Sequence, residues 1–212
     1  MLSPSRGEPA AWITEDVTPI PRNIYGVTKT AAEDLCQLAH QDHGLACVVL
    51  RVSRFFPEDD DNDSTRDRYE SENSKVNELL FRRVDLADAV SACQAAVSRA
   101  RAVGFGRYII SATTPFDSQD VKDLRSDAPG VVRRYFPDFE EVYPRRGWRM
   151  FPSLDRVYVN GRARLELGWE PIHDFAWALE QLRHDREPSS DLARAVGKKG
   201  YHSKPTGVYT TR

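Results

Sequence analysis

Apolar and polar positions along this chain predict helices that alternate with short buried strands. A helix is expected from Asn23, which can cap it, to about Asp42, with His43 and Gly44 ending it. Residues 45–51 follow directly as a nearly unbroken apolar run, L-A-C-V-V-L-R, which is typical of a parallel strand buried on both faces. A helix followed by such a strand is half of a βαβ unit, so the pattern predicts an α/β fold.

The same alternation continues in the second half of the chain. Asp85 is expected to cap a helix that runs to about Arg101, and further helices are predicted up to about Arg125, over 160–167 and over 174–184. Residues 107–111 and 155–159 are predicted strands. Proline-rich residues 1–24 and the polar stretch from 58 to 74 are expected to be loops, and the chain beyond Arg186 is expected to be disordered.

Composition excludes several classes of function. The net charge of the 212 residues is -2, which favours neither nucleic acid nor an acidic membrane as a partner. No apolar run reaches membrane-spanning length, and the amino terminus lacks signal-peptide features, so a cytoplasmic protein is expected. The three cysteines show no metal-ligand spacing and are predicted to be buried free thiols, which suits a reducing compartment, and no metal site is expected.

The first predicted helix carries Tyr25 and Lys29 one turn apart. Positions i and i+4 differ by about 40° around a helix, so the phenol and the ammonium group share one face. A fixed positive charge beside a tyrosine favours the phenolate, which would let it act as a general base nearer neutral pH. The spacing alone also occurs on ordinary solvated helix faces, so the alternative is a helix surface without chemistry.

A set of ordered motifs resembles the extended short-chain dehydrogenase/reductase family, the NAD(P)-dependent nucleotide-sugar epimerases and dehydratases. The motifs are T-E-D-V-T-P-I-P-R-N-I-Y-G-V-T-K-T-A-A-E-D-L followed by H-G-L-A-C-V-V-L-R-V-S-R, then R-R-V-D-L-A-D-A-V-S-A, Y-I-I-S-A-T-T-P-F and D-R-V-Y-V-N-G-R-A-R-L-E-L-G-W-E-P. They extend over about residues 13–185. The resemblance implies a partial Rossmann-type parallel sheet with a smaller mixed α/β substrate-binding cap.

The resemblance also implies roles for particular residues. Tyr25 would be the catalytic acid/base, and Lys29 would assist it and bind the nicotinamide ribose. Arg51 and Ser53 would join these two in binding NAD or NADP. The implied substrate is a small molecule, a nucleotide-sugar or a related hydroxy or keto compound, and its binding residues would be Arg54, Phe55 and Arg156.

One family motif is missing from the sequence. The G-x-x-G-x-x-G turn that holds the dinucleotide phosphates occurs nowhere in it, so the chain is expected to be the C-terminal portion of an extended reductase. Residues 1–74 would be the remnant of the dinucleotide-binding domain, 75–185 the cap region with returning sheet elements, and 186–212 the tail. A half sheet exposes apolar surface, so self-association into a homo-oligomer is expected. The alternative is a truncated homologue without activity that binds a ligand or a partner.

Overall fold

The computed structural model describes residues 4, 5, 7–56, 58, 59 and 63–197. Helices and strands alternate along most of this length, as the apolar pattern predicts. The strands are β1 (Ala11–Ile13), β2 (Cys47–Val52), β3 (Arg54–Phe55), β4 (Arg83–Val84), β5 (Phe105–Ile110) and β6 (Arg156–Tyr158). The helices are α1 (Ile24–His43), α2 (Asp63–Arg66), α3 (Ser71–Leu79), α4 (Leu86–Val103), α5 (Val121–Ser126), α6 (Ala128–Tyr135), α7 (Phe139–Arg145), α8 (Gly161–Leu167), α9 (Phe175–Arg183) and α10 (Asp191–Val196).

Helix α1 begins and ends as its sequence predicts. The Asn23 side chain accepts a hydrogen bond from the Gly26 N–H at 2.8 Å, which satisfies one free donor of the first turn. Gly44 adopts a left-handed conformation with φ 65°, and its N–H donates to the His40 carbonyl at 2.8 Å. No residue of this helix is buried, and the apolar side chains Val27, Leu35 and Leu38 are 49–65% exposed. Polar contacts must therefore hold α1 against the sheet.

The strands pair in parallel, which confirms the predicted α/β class. Strands β2 and β5 align over six residues, from Cys47 opposite Phe105 to Val52 opposite Ile110. Shorter parallel pairs join β1 to β6 and β3 to β4. The prediction that β2 is buried on both faces is wrong, because no residue in it is fully buried. Among the described residues β2 has a strand neighbour on one side only, and α1 covers it without burying its own side chains.

Two clusters of buried side chains form the core. The larger one joins α3, α5, α6, α7 and α9, and its fully enclosed members include Leu80, Leu124 and Val132. The smaller one packs α4 and α8 against β5, around Ala92, Tyr108 and Trp169. The sequence predicts an apolar side of α4 made of Leu86, Ala89, Val90, Cys93, Ala96 and Val97, and this prediction is only partly correct. Ala89 and Ala96 are buried, whereas Val90, Cys93 and Val97 point to solvent.

Two predicted loops contain regular structure. Residues 11–13, expected to be part of a loop, form β1 through pairing with β6 far along the chain. Residues 71–74, expected to be polar loop, begin α3, whose residues from Asn73 to Leu79 are all buried. The Asn77 side chain is satisfied there, because its amide donates to the Arg149 carbonyl and its oxygen accepts from the Tyr143 hydroxyl, whereas Asn73 Nδ2 and Ser74 Oγ have no hydrogen-bond partner within the described part of the chain. Residues 60–62 of the acidic stretch lie outside the described residues.

The carboxyl-terminal prediction is wrong for the residues that precede 198. Helix α10 is capped by Ser190, whose hydroxyl accepts from the Ala193 N–H at 3.0 Å and donates to the buried Asp85 carboxylate at 2.5 Å. The sequence there has few apolar residues, and a polar network supplies the order instead. Residues 198–212 lie outside the described residues. The predicted division at residues 74 and 185 stays a prediction.

The remaining differences concern exposure and helix starts. Cys36 and Cys47 are half-buried and Cys93 is exposed, so the prediction of buried thiols is wrong for Cys93. The helix expected directly after residue 117 begins at Val121. Within the described residues, no helix is both long and apolar enough to cross a membrane.

Candidate functional site

A cavity of about 330 Å³ opens beside α1 at the carboxyl end of β2, and it is called the α1 cavity below. Lys29 lines it from α1, Arg51 and Ser53 from β2 and the residue that follows, and Arg156 from β6. The loop of residues 17–21 closes another side. Ligands of α/β proteins bind outside the carboxyl ends of parallel strands, and this cavity has that position.

Ser53 brings an unsatisfied polar group to the α1 cavity. The residue is 8% exposed, and its Oγ has no hydrogen-bond partner. Its backbone N–H donates to the Ile110 carbonyl at 2.9 Å, which continues the β2–β5 ladder and fixes the position of the side chain. Buried hydroxyls are usually hydrogen-bonded, so an unpartnered one in a cavity wall is available to a ligand.

Arg51 reaches the cavity but is engaged by Glu33. Its Nε and Nη2 donate to the two Glu33 carboxylate oxygens at 3.0 and 2.7 Å, and Nη1 donates to the Glu15 carbonyl at 3.2 Å. Glu33 also accepts from Arg107 Nε at 2.9 Å. Burial alone would raise the pKa of the Glu33 carboxyl, but the bonds and charges of the two arginines lower it below its ordinary value. The arrangement ties α1 to both β2 and β5.

Arg156 is buried and paired within its own strand region. Its Nε and Nη2 donate to the two Asp155 carboxylate oxygens at 3.0 and 2.6 Å. Burial would lower the pKa of this guanidinium, yet the Asp155 carboxylate raises it above its ordinary value. The Asp155 pKa is lowered in turn, because the arginine charge outweighs the effect of burial. Arg156 therefore presents a permanent positive charge to the α1 cavity.

Tyr25 lies beside Lys29 but outside the cavity lining. The Lys29 Nζ is 5.3 Å from the centre of the Tyr25 ring, so the predicted pair shares one face of α1. Tyr25 is 64% exposed, whereas Lys29 lines the α1 cavity. The phenol thus stands next to a cavity residue, towards the solvent.

Two of the predicted substrate residues lie elsewhere. Arg54 approaches the buried Glu78, with its Nη1 3.4 Å from Oε1. Phe55 is 37% exposed, and its carbonyl accepts from the buried Arg83. The structure brings Lys29, Arg51, Ser53 and Arg156 together and places Arg54 and Phe55 in a separate polar cluster.

Sequence reasoning missed Glu33 and Glu15. Glu33 follows Lys29 by one helical turn, so the spacing from Tyr25 to Lys29 could have been extended to it. The Glu15 carboxylate accepts from the Ile109 N–H at 2.8 Å and so occupies a donor at the open edge of β5. Only the assembled sheet reveals that role. Among the described residues, no three His, Cys, Asp or Glu side chains gather as metal ligands.

Comparison with known families finds a match for residues 4–101 of the chain. Residues 4–101 match the family described as the NAD dependent epimerase/dehydratase family. Over this segment the chain is similar to that family. The matched residues include α1, β2 and four of the residues that line the α1 cavity: Lys29, Glu33, Arg51 and Ser53. No curated protein matches the sequence.

Several solved structures resemble this chain. A short-chain dehydrogenase/reductase superfamily protein from Agrobacterium tumefaciens with bound NAD has a TM-score of 0.50 and 18% identity, covering 90% of this chain and 65% of its own. UDP-N-acetylglucosamine 4-epimerase from Bacillus cereus has a TM-score of 0.48 and 16% identity, and the match covers 81% of this chain and 55% of the epimerase. RMD from Pseudomonas aeruginosa, complexed with NADPH, has a TM-score of 0.47 and 20% identity, and the match covers 82% of this chain and 59% of RMD. The first of these supports the Rossmann-like fold. The chain spans between 55% and 65% of the length of these three proteins.

Proposed function

We propose that this chain supplies the acid/base side of an NAD(P)-dependent epimerase/dehydratase-type oxidoreductase. Its substrate would be a nucleotide-sugar or a related hydroxy or keto compound, and Tyr25 would be its acid/base, assisted by Lys29. One observation carries the proposal: Lys29, one turn from Tyr25, lines a cavity at the carboxyl end of β2 together with the unpartnered Ser53 hydroxyl. The match of residues 4–101 to an NAD dependent family supports it.

The lining of the α1 cavity fits one end of a dinucleotide. Lys29 can donate to ribose hydroxyls, and the buried Ser53 Oγ can donate or accept where no protein group does. A volume of about 330 Å³ suits the nicotinamide-ribose end of the cofactor. When bound, a nicotinamide cofactor supplies the hydride acceptor or donor of the reaction.

The residues of this chain would transfer the proton and orient the substrate. Tyr25 would take the proton from a substrate hydroxyl at the mouth of the cavity and return it in the reverse step. Lys29, with its ammonium 5.3 Å from the ring centre, would assist Tyr25 from the same face of α1. The charge of Arg156 would orient an anionic part of the substrate, and Arg51, engaged by Glu33, would keep the wall in place. Arg54 and Phe55 remain candidates for contacts outside the cavity.

Turnover measurements on matched variants test the proposal. UDP-N-acetylglucosamine and UDP-glucuronic acid serve as probe substrates with NAD or NADP, and conversion is followed by chromatography of the sugar nucleotides. Tyr25→Phe and Lys29→Met should each lower turnover by about 100-fold or more, as expected when an acid/base group is lost. Tyr135→Phe and Lys122→Met make the same chemical changes elsewhere and should retain full turnover. Equal activity of all four variants would contradict the proposed roles.

A second candidate function is ligand binding without turnover. It is favoured by the position of Tyr25, which is 64% exposed and outside the cavity lining. Under this alternative a probe sugar nucleotide would bind, no conversion would occur, and Tyr25→Phe would leave the affinity unchanged. Self-association, predicted from the half sheet, also remains a proposal, and light scattering after size-exclusion chromatography would measure it.

A further inference from the structure

A second cavity of about 300 Å³ shares no lining residue with the α1 cavity, although its Asp155 is paired with Arg156 of that cavity; it is called the arginine cavity below. Its floor is formed by the buried aromatic side chains Phe81 and Phe151, with Tyr69 edge-on to Phe151 at 4.7 Å between ring centres. The wall carries three guanidinium groups, from Arg68, Arg82 and Arg125. Serine and threonine hydroxyls complete it, at positions 64, 65 and 153.

Two of the three arginine side chains have no ion-pair partner among the described residues. Arg82 pairs with the buried Glu78 carboxylate. The Arg68 and Arg125 side chains have no hydrogen-bond or ion-pair partner among the described residues. Both arginines line the same cavity, so an anion bound in it would be near two positive charges that have no partner among the described residues.

The one carboxylate in the wall does not supply that anion. Both Asp155 oxygens accept from Arg156, at 3.0 and 2.6 Å, so its charge is already compensated. Glu78 is likewise shared, since Arg54 and Arg83 approach it in addition to Arg82. Asp155 and Glu78 are therefore both paired with arginines other than Arg68 and Arg125.

We propose that the arginine cavity binds the phosphate group of a small phosphate monoester through Arg68 and Arg125. Guanidinium groups bind phosphate oxygens through paired, charge-assisted hydrogen bonds. Hydroxyls of Thr65 and Ser153 can donate to the remaining oxygens, and the aromatic floor suits the body attached to the phosphate. The site is separate from the reaction proposed above, because none of its residues lines the α1 cavity.

Calorimetric titration with inorganic phosphate and with glucose 1-phosphate tests this assignment, at constant ionic strength set with chloride. Arg68→Gln and Arg125→Gln should each weaken binding of both probes at least about tenfold, since each removes a charge-assisted partner. Arg99→Gln changes the net charge equally at an exposed position of α4 and should bind as the parent does. Amide resonances of residues 65 and 153 should shift on titration, which locates the site.

The outcomes separate the proposal from its rivals. Tighter binding of glucose 1-phosphate than of inorganic phosphate would support a monoester site with the aromatic floor in contact. Retained binding in Lys29→Met would further show that the α1 cavity is not the site, even if that variant has lost turnover. Equal weakening in Arg99→Gln would mean a general charge effect and would overturn the proposal. So would undiminished binding in the Arg68→Gln, Arg125→Gln double variant.

Discussion

Replacing Glu33 with glutamine removes the charge that holds α1 to the sheet. Glu33 accepts from Arg51 at 2.7 and 3.0 Å and from Arg107 at 2.9 Å, and the three side chains are only 17–24% exposed. Because no residue of α1 is buried, apolar packing cannot replace this contact. The variant keeps the shape of the side chain and leaves two arginines without their shared partner.

The expected loss of unfolding free energy is about 2 kcal/mol. Exposed ion pairs contribute about 0.2–1 kcal/mol and hydrogen bonds to charged groups about 1.5–3 kcal/mol, and this half-buried cluster lies between those cases. For a chain of this size, such a loss lowers the melting temperature by roughly 4–8 °C. Urea unfolding followed by circular dichroism measures it. Asp42→Asn, at an exposed position of the same helix, is the matched control and should change stability by less than about 0.5 kcal/mol.

The pH dependence of this difference follows from the lowered pKa of Glu33. A carboxyl whose pKa is lower in the folded than in the unfolded chain stabilises the fold above its unfolded value. That contribution is lost as the pH falls through the folded value. The gap between parent and Glu33→Gln should therefore be full at neutral pH and close under acidic conditions. A variant as stable as the parent at neutral pH, or a gap that widens in acid, would refute the reasoning.

Three further predictions concern the core and the caps. Leu124→Ala should cost about 2–5 kcal/mol in unfolding free energy because Leu124 is fully enclosed, whereas Leu165→Ala, at 83% exposure, should be nearly neutral in the same urea assay. Glu78→Gln leaves the buried Arg83 guanidinium without its countercharge and should cost about 3–5 kcal/mol; a loss below 1 kcal/mol in thermal unfolding would contradict this. Ser190→Ala removes the cap of α10 and should cost about 1–2 kcal/mol, with faster amide hydrogen exchange confined to residues 191–196 if the effect is local.

Local signals in the sequence predict the elements whose stability is local. Asn23 and Gly44 mark the ends of α1, and the apolar run after it marks β2, because capping and apolar periodicity depend on neighbours in the chain. Strand β1 has three residues and exists through pairing with β6, 145 positions away from Ala11 to Arg156, so no local pattern reveals it. Only the start of helix α3 falls in the stretch expected to be a loop, because residues 71–74 are polar; Asn73 and Ser74 are buried there, and the Arg149 N–H donates to the Asn73 side chain.

In the candidate site, too, the sequence predicts individual residues but not the contacts that depend on the assembled fold. Lys29, Arg51, Ser53 and Arg156 line one cavity, and the family resemblance predicts each of them as a ligand-binding residue. The motifs did not reveal that Arg51 is held by Glu33, since that contact depends on how α1 lies against β2 and β5. Nor did they reveal the arginine cavity, whose residues are spread from 64 to 155 and share no spacing.

The binding of reduced nicotinamide cofactors tests the central proposal most directly. Isothermal titration of the folded chain with NADH and NADPH should give saturable binding of at least one of them, weakened about tenfold or more by Lys29→Met and unchanged by Lys122→Met. A well-folded chain that binds neither cofactor, or that binds one with the same affinity after Lys29→Met, would contradict the proposal that the α1 cavity receives the nicotinamide ribose.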